Sequence, residues 1–170
     1  LTYNSDDGTI FQPNSYVFTL EDIEYTQYAV INSLDDSDMA PTYDWIEING
    51  IGTNLELTDD TQISDIPIGF AFKYYGQTFS ELSVCSNGWV SFEYSPIHHF
   101  WNFSIPFPMG PSGMIAPFFD DLDDNQGQET FDVYFWTNSI DSAIVEWDGI
   151  ANGQTDENCG SDTPCEKETF

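Results

Sequence analysis

One segment of this sequence alternates bulky apolar residues with small or polar ones more regularly than the rest of the chain. Every second position from Ile66 to Tyr75 carries such a residue, namely Ile68, Phe70, Phe72 and Tyr74. Successive side chains of a β-strand point to opposite faces, so a period of two places these four on one face. The alternation predicts a half-buried strand, and a fold that must therefore contain a sheet.

A turn signal follows this strand. Ser86-Asn87-Gly88 separates the apolar stretches Leu82–Cys85 and Trp89–Glu93. Asn-Gly readily adopts the positive φ angles of a tight turn between antiparallel strands. The pattern predicts a β-hairpin over these residues.

Strand signals recur along the rest of the chain, and no window shows a convincing helical period. The β-branched and aromatic runs predict strands at Ser15–Leu20, Thr26–Ile31, Trp45–Ile48, Asn54–Leu57, Met114–Phe119, Phe131–Thr137 and Ala143–Trp147, with another beginning at Lys167–Phe170. The proline-rich segment Pro96–Pro111 lacks amide donors and predicts a long irregular loop. About eight to ten short strands predict an all-β fold, an antiparallel and jelly-roll-like β-sandwich with little or no helix.

We expect one domain overall, in which residues 41–170 form the β-sandwich module. Residues 1–40 would contribute N-terminal strands or a donor segment. The chain has no initiator Met and ends where a strand begins, which is typical of a fragment or a processed subunit of something longer. It also lacks an apolar run near the roughly 18 residues that a membrane span needs.

Acidic residues dominate the charge. The chain has 30 Asp and Glu against 2 Lys and Arg, and its formal net charge is -28. Nucleic acid and anionic membranes are excluded as partners because both require basic surfaces. A hydrophobic fraction of 40% with 14 Phe, 9 Tyr and 5 Trp predicts a folded protein. Salt or divalent cations must then screen the self-repulsion of the fold.

A candidate calcium site lies in the acidic segment between residues 121 and 132. Oxygen ligands at alternate positions of a loop converge on one point, and this loop offers Asp121, Asp123, Asn125, Glu129 and Asp132 at positions 1, 3, 5, 9 and 12. The alternative is an Asp-rich solvated turn. The pairs Asp6-Asp7, Asp35-Asp36 and Asp59-Asp60 are interpreted as solvated turn residues, since Asp bonds its own backbone in turns.

The three cysteines have separate expectations. Cys159 and Cys165 flank a short loop that a disulfide would close in an oxidising compartment. Cys85 lies in an apolar stretch and is interpreted as a small buried residue. Zinc is not expected, because the cysteines and His98-His99 lack its usual ligand spacing.

The proline-rich loop carries a cluster of aromatic residues. Phe100, Trp101 and Phe103 could form an apolar platform for sugar rings, which is a candidate glycan-binding site. Alternatively these rings cover the open end of the sandwich as part of the core. Asn102 begins an Asn-x-Ser sequon and is a candidate glycosylation site. The motifs of common catalytic sites are missing, so we do not expect an enzyme.

Four segments in a fixed order resemble a known group of proteins. They read DWIEI at Asp44–Ile48, IGFAFKYYG at Ile68–Gly76, CSNGWVSF at Cys85–Phe92 and IAPFFDDLD at Ile115–Asp123. Together they resemble β-sandwich modules of large secreted bacterial surface proteins, including adhesins and non-catalytic domains of cell-surface proteases. Residues 67–147 are also similar to nidogen-like domains. The resemblance implies a structural or adhesive module that is extracellular or at the cell surface.

The function expected from these features is that of a non-catalytic extracellular structural module. It would be a subunit or repeat of a surface assembly such as a fibre or filament, stabilised by divalent cations. Strand addition between subunits or neighbouring domains, with Leu1–Gln12 as donor, would join its copies. The alternative is a carbohydrate- or protein-binding appendage of a secreted enzyme or adhesin.

Overall fold

The computed structural model describes residues 3–4, 10–11, 31–36, 38–95, 103–105, 107–108, 110–123, 131–152 and 167–170. The chain separates into two compact units, Leu1–Pro41 and Thr42–Phe170. In the first unit, β1 (Tyr3–Asn4) pairs antiparallel with β2 (Ile10–Phe11). The segment Leu1–Gln12, expected to be a donor strand, thus contains two short strands that pair with each other. The predicted strand Ser15–Leu20, and Thr26–Ile31 apart from its last residue, lie outside the described residues.

The second unit contains short strands and, among its described residues, no helix. They are β3 (Thr53–Asn54), β4 (Gln62–Tyr74), β5 (Gln77–Cys85), β6 (Trp89–Ser91), β7 (Met114–Ile115), β8 (Leu122–Asp123), β9 (Asp132–Thr137), β10 (Ala143–Asp148), β11 (Ile150–Asn152) and β12 (Lys167–Glu168). Each strand pairing is antiparallel. The predicted all-β, sandwich-like fold is confirmed.

The largest sheet has four strands in the order β4-β5-β6-β7. Exposure alternates along β4, so Ile68, Phe70, Phe72 and Tyr74 share the inner face as predicted. The strand bends at two register shifts against β5. At the second shift Gly69 has a φ of 84°, and a Cβ there would lie 2.8 Å from the Cα of Ser139. Glycine thus lets β4 pass close to the turn between β9 and β10.

The described residues of this unit also form two smaller sheets, in the orders β10-β9-β3 and β12-β11-β8. The β9–β10 hairpin is paired over its full length, from Ala143 opposite Thr137 to Asp148 opposite Asp132. Gly149, with a φ of 61°, separates β10 from β11. The beginning of a strand at the C-terminal end is confirmed, since β12 pairs with β11.

The hydrophobic core lies between the four-stranded sheet and the β9–β10 hairpin. Ile68 and Val84 from the first sheet are packed in one cluster with Val133 and Trp147 from the second. The indole Nε1 of Trp147 donates a hydrogen bond to the carbonyl oxygen of Cys85 at 3.0 Å. Cys85 is buried as predicted, and burial raises the pKa of its thiol to about 12.

Several strand boundaries differ from the prediction because polar residues also occupy inward or paired positions. β4 begins at Gln62 rather than Ile66, and β5 begins at Gln77 rather than Leu82. Tyr75 and Gly76 both have positive φ and form the turn between these two strands. The predicted strand Met114–Phe119 is limited to its first two residues. The described residues of the predicted loop Pro96–Pro111 have no regular secondary structure.

The prediction of a strand at Trp45–Ile48 is wrong. The segment has no ladder partner among the described residues, although Ile48 is fully buried. The N–H of Ile48 donates instead to the Oε2 atom of Glu146 at 3.0 Å. A side-chain acceptor thus replaces the neighbouring strand that the β-branched composition indicated. The strand predicted at Asn54–Leu57 is also displaced, to Thr53–Asn54.

Candidate metal centre

Three carboxylates from two distant parts of the sequence meet at one end of the four-stranded sheet. Asp59 and Asp60 precede β4, and Asp121 precedes β8; one carboxylate oxygen from each lies within 4.8 Å of the others. Asp59 is exposed, whereas Asp60 and Asp121 are half-buried. This group could hold a metal ion.

A local hydrogen-bond network forms the turn that carries Asp59 and Asp60. The N–H of Thr58 donates to the Oγ1 atom of Thr61 at 2.9 Å, and that hydroxyl donates to the carbonyl oxygen of Thr58 at 2.6 Å. Asp60 has a φ of 50°, which Asp tolerates better than most residues. The interpretation of this pair as turn residues is correct, but the turn also brings their carboxylates to Asp121.

The β5–β6 hairpin loop connects the two parts of the cluster. The predicted hairpin is confirmed, with Cys85 opposite Trp89 and a loop of Ser86, Asn87 and Gly88. The N–H of Ser86 donates to the carbonyl oxygen of Thr61 at 2.9 Å, and the N–H of Thr61 donates to the Oγ of Ser86 at 3.0 Å. These bonds hold the hairpin loop against the turn that precedes β4.

Asn87 makes the direct link between the acidic turns. Its side chain is fully buried, and its Nδ2 donates to the Oδ1 of Asp60 at 2.8 Å. Its Oδ1 accepts a hydrogen bond from the N–H of Leu122, the residue after Asp121, at 3.0 Å. One amide side chain therefore sets the separation of Asp60 and Asp121.

Gly88 permits this close packing. Its φ of 75° is positive, whereas Asn87 stays at negative φ. A Cβ at Gly88 would lie 1.8 Å from the carbonyl oxygen of Phe118. Only glycine fits there. The Asn-Gly pair therefore forms the hairpin turn that the sequence indicated and also allows the turn to pack against the backbone of Phe118.

The electrostatics of the cluster favour a cation. Burial raises the pKa of Asp121 to about 6, with further contributions from the negative charges of Asp60, Asp59, Asp123 and Asp120. The ionised form is thus disfavoured where these carboxylates meet, and a bound cation would offset the repulsion. A donor set made only of carboxylate oxygens matches hard cations such as Ca²⁺ and Mg²⁺.

The predicted calcium loop overlaps this cluster at one residue. Asp121 belongs to both, whereas Asp123 and Asp132 are not members of the close group. The Oδ1 of Asp132 accepts a hydrogen bond from the Nδ2 of Asn54 at 2.6 Å. Asn125 and Glu129 lie outside the described residues, so the five-ligand loop stays a prediction.

Sequence reasoning did not assign Asp59, Asp60 and Asn87 to this site. A signal for the grouping was present, because antiparallel pairing of β4 with β5 brings the start of one strand beside the end of the other. Gln62 lies opposite Cys85 in that register. The residues just before β4 and just after β5 must therefore be neighbours.

A second acidic group lies on the outer face of the β9–β10 hairpin. Glu146 is almost fully buried, and its Oε1 has no hydrogen-bond donor among the described residues. Burial raises the pKa of Glu146, and the neighbouring Glu47 and Asp148 raise it too. The pKa of Glu47 is lowered, chiefly by the hydrogen bond from the N–H of Asn49. Of the two glutamates, Glu146 is therefore the one that binds a proton more readily.

The other predicted site residues fall mostly outside the described part of the chain. This applies to Phe100, Trp101 and Asn102 of the aromatic loop and to the cysteines 159 and 165 of the predicted disulfide. Phe103 is described: it is half-buried, and its ring centroid lies 4.9 Å from those of Phe107 and Phe119. The described residues contain no helix with the length and hydrophobicity that a membrane span requires.

Comparison with known proteins identifies a family. Residues 37–155, well over half of the chain, match the family described as "NIDO related". Neither a curated protein nor a solved structure matches the chain. The match covers residues 67–147, which resemble nidogen-like domains, together with all three carboxylates of the metal centre. This chain belongs to the NIDO-related family.

Proposed function

We propose that this protein is a non-catalytic structural module located outside the cell, whose loops at one end of the sheet are held together by a calcium ion. The observation that carries the proposal is the convergence of Asp59, Asp60 and Asp121 around the Asn87 side chain. Membership of the NIDO-related family supports the non-catalytic role. A cation here would join the turn before β4 to the segment before β8.

Calcium is the cation we propose because of the ligand number it needs. Ca²⁺ takes about six to eight oxygen ligands in flexible geometry, whereas Mg²⁺ demands a near-octahedral shell and keeps several waters. The cluster supplies three carboxylates, and the adjacent acidic segment contains Asn125 and Glu129 as further oxygen donors. The net charge of -28 adds a long-range attraction for divalent cations.

The module would be a subunit or repeat of a surface assembly, in the manner of the bacterial surface proteins that the sequence resembles. A chain of this charge repels its own copies unless cations screen it. Calcium would then act twice, by fixing the loops and by permitting close approach of neighbours. Negative-stain microscopy with and without chelator tests this part. Ordered assemblies that disperse in chelator would support it, and single particles in both conditions would contradict it.

Thermal unfolding with added metal tests the calcium site directly. Chelated protein should unfold at a lower temperature than protein with Ca²⁺, since a ligand at about 100 times its Kd stabilises by about 2.7 kcal/mol. Asp121→Asn should remove most of this calcium-dependent shift. Asp44→Asn is the matched control, because it removes the same charge from an exposed residue outside the cluster. Equal unfolding temperatures with and without calcium in the unaltered protein would refute the site.

A second candidate function is glycan binding, and one cleft favours it. Tyr74, Tyr75, Phe103 and Phe107 line a cleft of about 590 Å³ beside the β4–β5 turn. The ring of Tyr75 is 65% exposed, and flat exposed rings are suited to stacking on sugars. Binding of a soluble glycan that is lost in both Tyr75→Ala and Phe103→Ala would favour this function. Undiminished binding in both variants would exclude this cleft.

A further inference from the structure

A short segment before β3 lies against the outer face of the β9–β10 hairpin. We call this segment, Trp45–Gly52, the strap. Its C-terminal end is fixed, because β3 follows it directly and pairs with β9. A Cβ at Gly52 would lie 3.1 Å from the carbonyl oxygen of Phe135, which places this end close to the β9 backbone. The rest of the strap has no strand ladder among the described residues, so side chains must hold it.

Two acidic side chains of β10 bind the strap. The N–H of Ile48 donates to the Oε2 of Glu146 at 3.0 Å, and the Nδ2 of Asn49 donates to the Oδ2 of Asp148 at 2.7 Å. The first contact is enclosed, since Ile48 is fully buried and Glu146 is only 1% exposed. The strap is therefore held by groups whose charge depends on pH.

A further carboxyl group, that of Glu47, comes from the strap itself. Its Oε1 accepts a hydrogen bond from the N–H of Asn49 at 2.8 Å, and its Oε2 accepts one from the indole Nε1 of Trp45 at 3.3 Å. These donors favour the ionised form and lower the pKa of Glu47. The side chains of Glu47 and Glu146 are also hydrogen-bonded to each other. Two carboxyl groups can form such a bond only when one of them carries a proton.

The groups around Glu146 determine where that proton lies. The titratable side chains near it are Glu47 from the strap, Asp148 from β10, Tyr134 and Asp132 from β9, and Lys167 from β12, which lies beside Gly149. Burial raises the pKa of Glu146, and the charges of Glu47 and Asp148 raise it further. Glu146 is therefore the proton donor of the pair, and Glu47 is the acceptor.

We propose that the carboxyl groups of Glu47 and Glu146 form a proton-operated latch, which holds the strap against β10 in acidic solution and loosens it as the pH rises. In the closed state, protonated Glu146 donates to Glu47 while its Oε2 accepts the N–H of Ile48. When the proton passes to solvent, two negative charges meet at an enclosed contact and repel each other. The strap then leaves β10 more often, and Glu146 becomes hydrated.

The direction of the response follows from the raised pKa of Glu146. Its stabilising effect is fully present below the ordinary value of 4.5 and is lost as the pH rises through the pKa of the folded protein. The burial of Ile48 and the hydrogen bond from Asn49 to Asp148 still favour the closed strap at neutral pH. The open strap is therefore a minor state, and its population increases with pH.

Amide hydrogen exchange at Ile48 measures this opening, because opening removes the acceptor of its N–H. After correction for the intrinsic exchange rate at each pH, its protection should fall about fivefold from pH 5 to pH 8. Ile144, opposite Trp136 in the β9–β10 ladder, is the reference, and its protection should stay constant. Constant protection at Ile48, or an equal fall at both amides, would overturn the proposal.

A matched pair of variants separates the proton from the contact. In Glu146→Gln, the amide donates to Glu47 and the carbonyl oxygen accepts the N–H of Ile48 at every pH, so the protection of Ile48 should no longer change. Glu81→Gln makes the same substitution at an exposed residue of β5 and should retain the fivefold fall. A fall that persists in Glu146→Gln, or that is lost in Glu81→Gln, would contradict the latch.

The unaltered protein provides a measurement that needs no folded variant. In nuclear magnetic resonance, the side-chain carboxyl carbon of Glu146 should titrate at a higher pH than that of Glu47. The amide resonance of Ile48 should change with the same midpoint as Glu146. Titration of both glutamates at the ordinary value, or a different midpoint at Ile48, would refute the proposal.

The metal centre contains the other carboxyl group that titrates in this range, since the pKa of Asp121 is raised to about 6. Asp121→Asn should leave the fall in protection at Ile48 unchanged, with calcium and with chelator. A fall that disappears in this variant would assign the pH response to the metal centre and overturn the latch. A fall that persists while calcium fails to stabilise the unaltered protein would refute the calcium site alone.

Discussion

Two hairpin loops of this protein contain an asparagine whose side chain satisfies backbone donors, yet the two asparagines act over different distances. In the β9–β10 loop, the Oδ1 of Asn138 accepts hydrogen bonds from the N–H groups of Ile140, Asp141 and Ser142 at 2.9–3.1 Å. In the β5–β6 loop, Asn87 bonds Asp60 and Leu122, which lie 27 and 35 residues away. The first loop closes on itself, whereas the second joins three segments.

Burial explains the difference in role. Asn138 is half-buried in a loop with exposed residues, where water can replace a lost hydrogen bond. Asn87 is fully buried, and without it the N–H of the buried Leu122 would lose its hydrogen-bond acceptor. The same residue type is therefore a local turn former in one loop and the organiser of a candidate metal centre in the other.

The largest effect is expected from the glycine beside Asn87. Gly88→Ala should destabilise the protein by about 4 kcal/mol or more, because the new Cβ would overlap the backbone of Phe118 and the φ is positive. Gly76→Ala is the control in the β4–β5 turn, where φ is also positive but no atom lies within 4 Å. That control should lose about 1 kcal/mol. Urea unfolding measures both, and similar losses would show that loop packing is not the decisive factor.

The asparagines themselves give the next effect. Asn87→Ala should cost about 2 to 4 kcal/mol, since it removes one buried and one half-buried hydrogen bond, and it should also weaken calcium-dependent stabilisation. Asn138→Ala should cost about 1 kcal/mol and leave the response to calcium unchanged. Thermal unfolding in chelator and in calcium distinguishes the two. A larger loss in Asn138→Ala would reverse the contrast between the loops.

The smallest effect concerns a buried polar group that, unlike Asn87, is not fully hydrogen-bonded. The pKa of Glu146 is raised in the folded state, so protonation of this residue stabilises the fold. The stabilisation is fully present below the pKa of the unfolded chain, and it is lost as the pH rises through the pKa of the folded protein. Glu146→Gln keeps an acceptor for the N–H of Ile48 without the charge. It should be more stable than the unaltered protein at neutral pH by up to about 1 kcal/mol and equal at pH 4. Urea unfolding from pH 4 to neutral pH measures the difference in stability between the two proteins. A difference that stays constant across this range would contradict the raised pKa of Glu146.

Much of the fold was predictable because local pattern and tertiary burial agree. The alternation in β4, the hairpin at Ser86–Gly88 and the strands β9 and β10 were all evident from side-chain period and turn residues. The first, polar residues of β4 and β5 could not be predicted as strand, because they are in strands only through their pairing with each other's strand. Trp45–Ile48 has strand composition, but the carboxylate of Glu146 binds the N–H that a ladder would have used.

The carboxylates of the candidate metal centre likewise include one that was predicted from the sequence and two that were not. Asp121 was predicted as a metal ligand from its own loop, whereas Asp59 and Asp60 were assigned only to a turn. Their turn geometry is local and was predicted correctly. Their meeting with Asp121 depends on the register of β4 with β5 and on the buried amide of Asn87.

The sequence by itself determined that this chain is all-β, strongly acidic and similar to nidogen-like modules, because side-chain period, composition and ordered motifs are properties of neighbouring residues. Only the tertiary structure decided which carboxylates meet and which side chains of the two facing sheets line an apolar cavity. Those features depend on contacts between residues far apart in the chain. Their positions follow from strand pairing and packing, whose free energies no single segment contains.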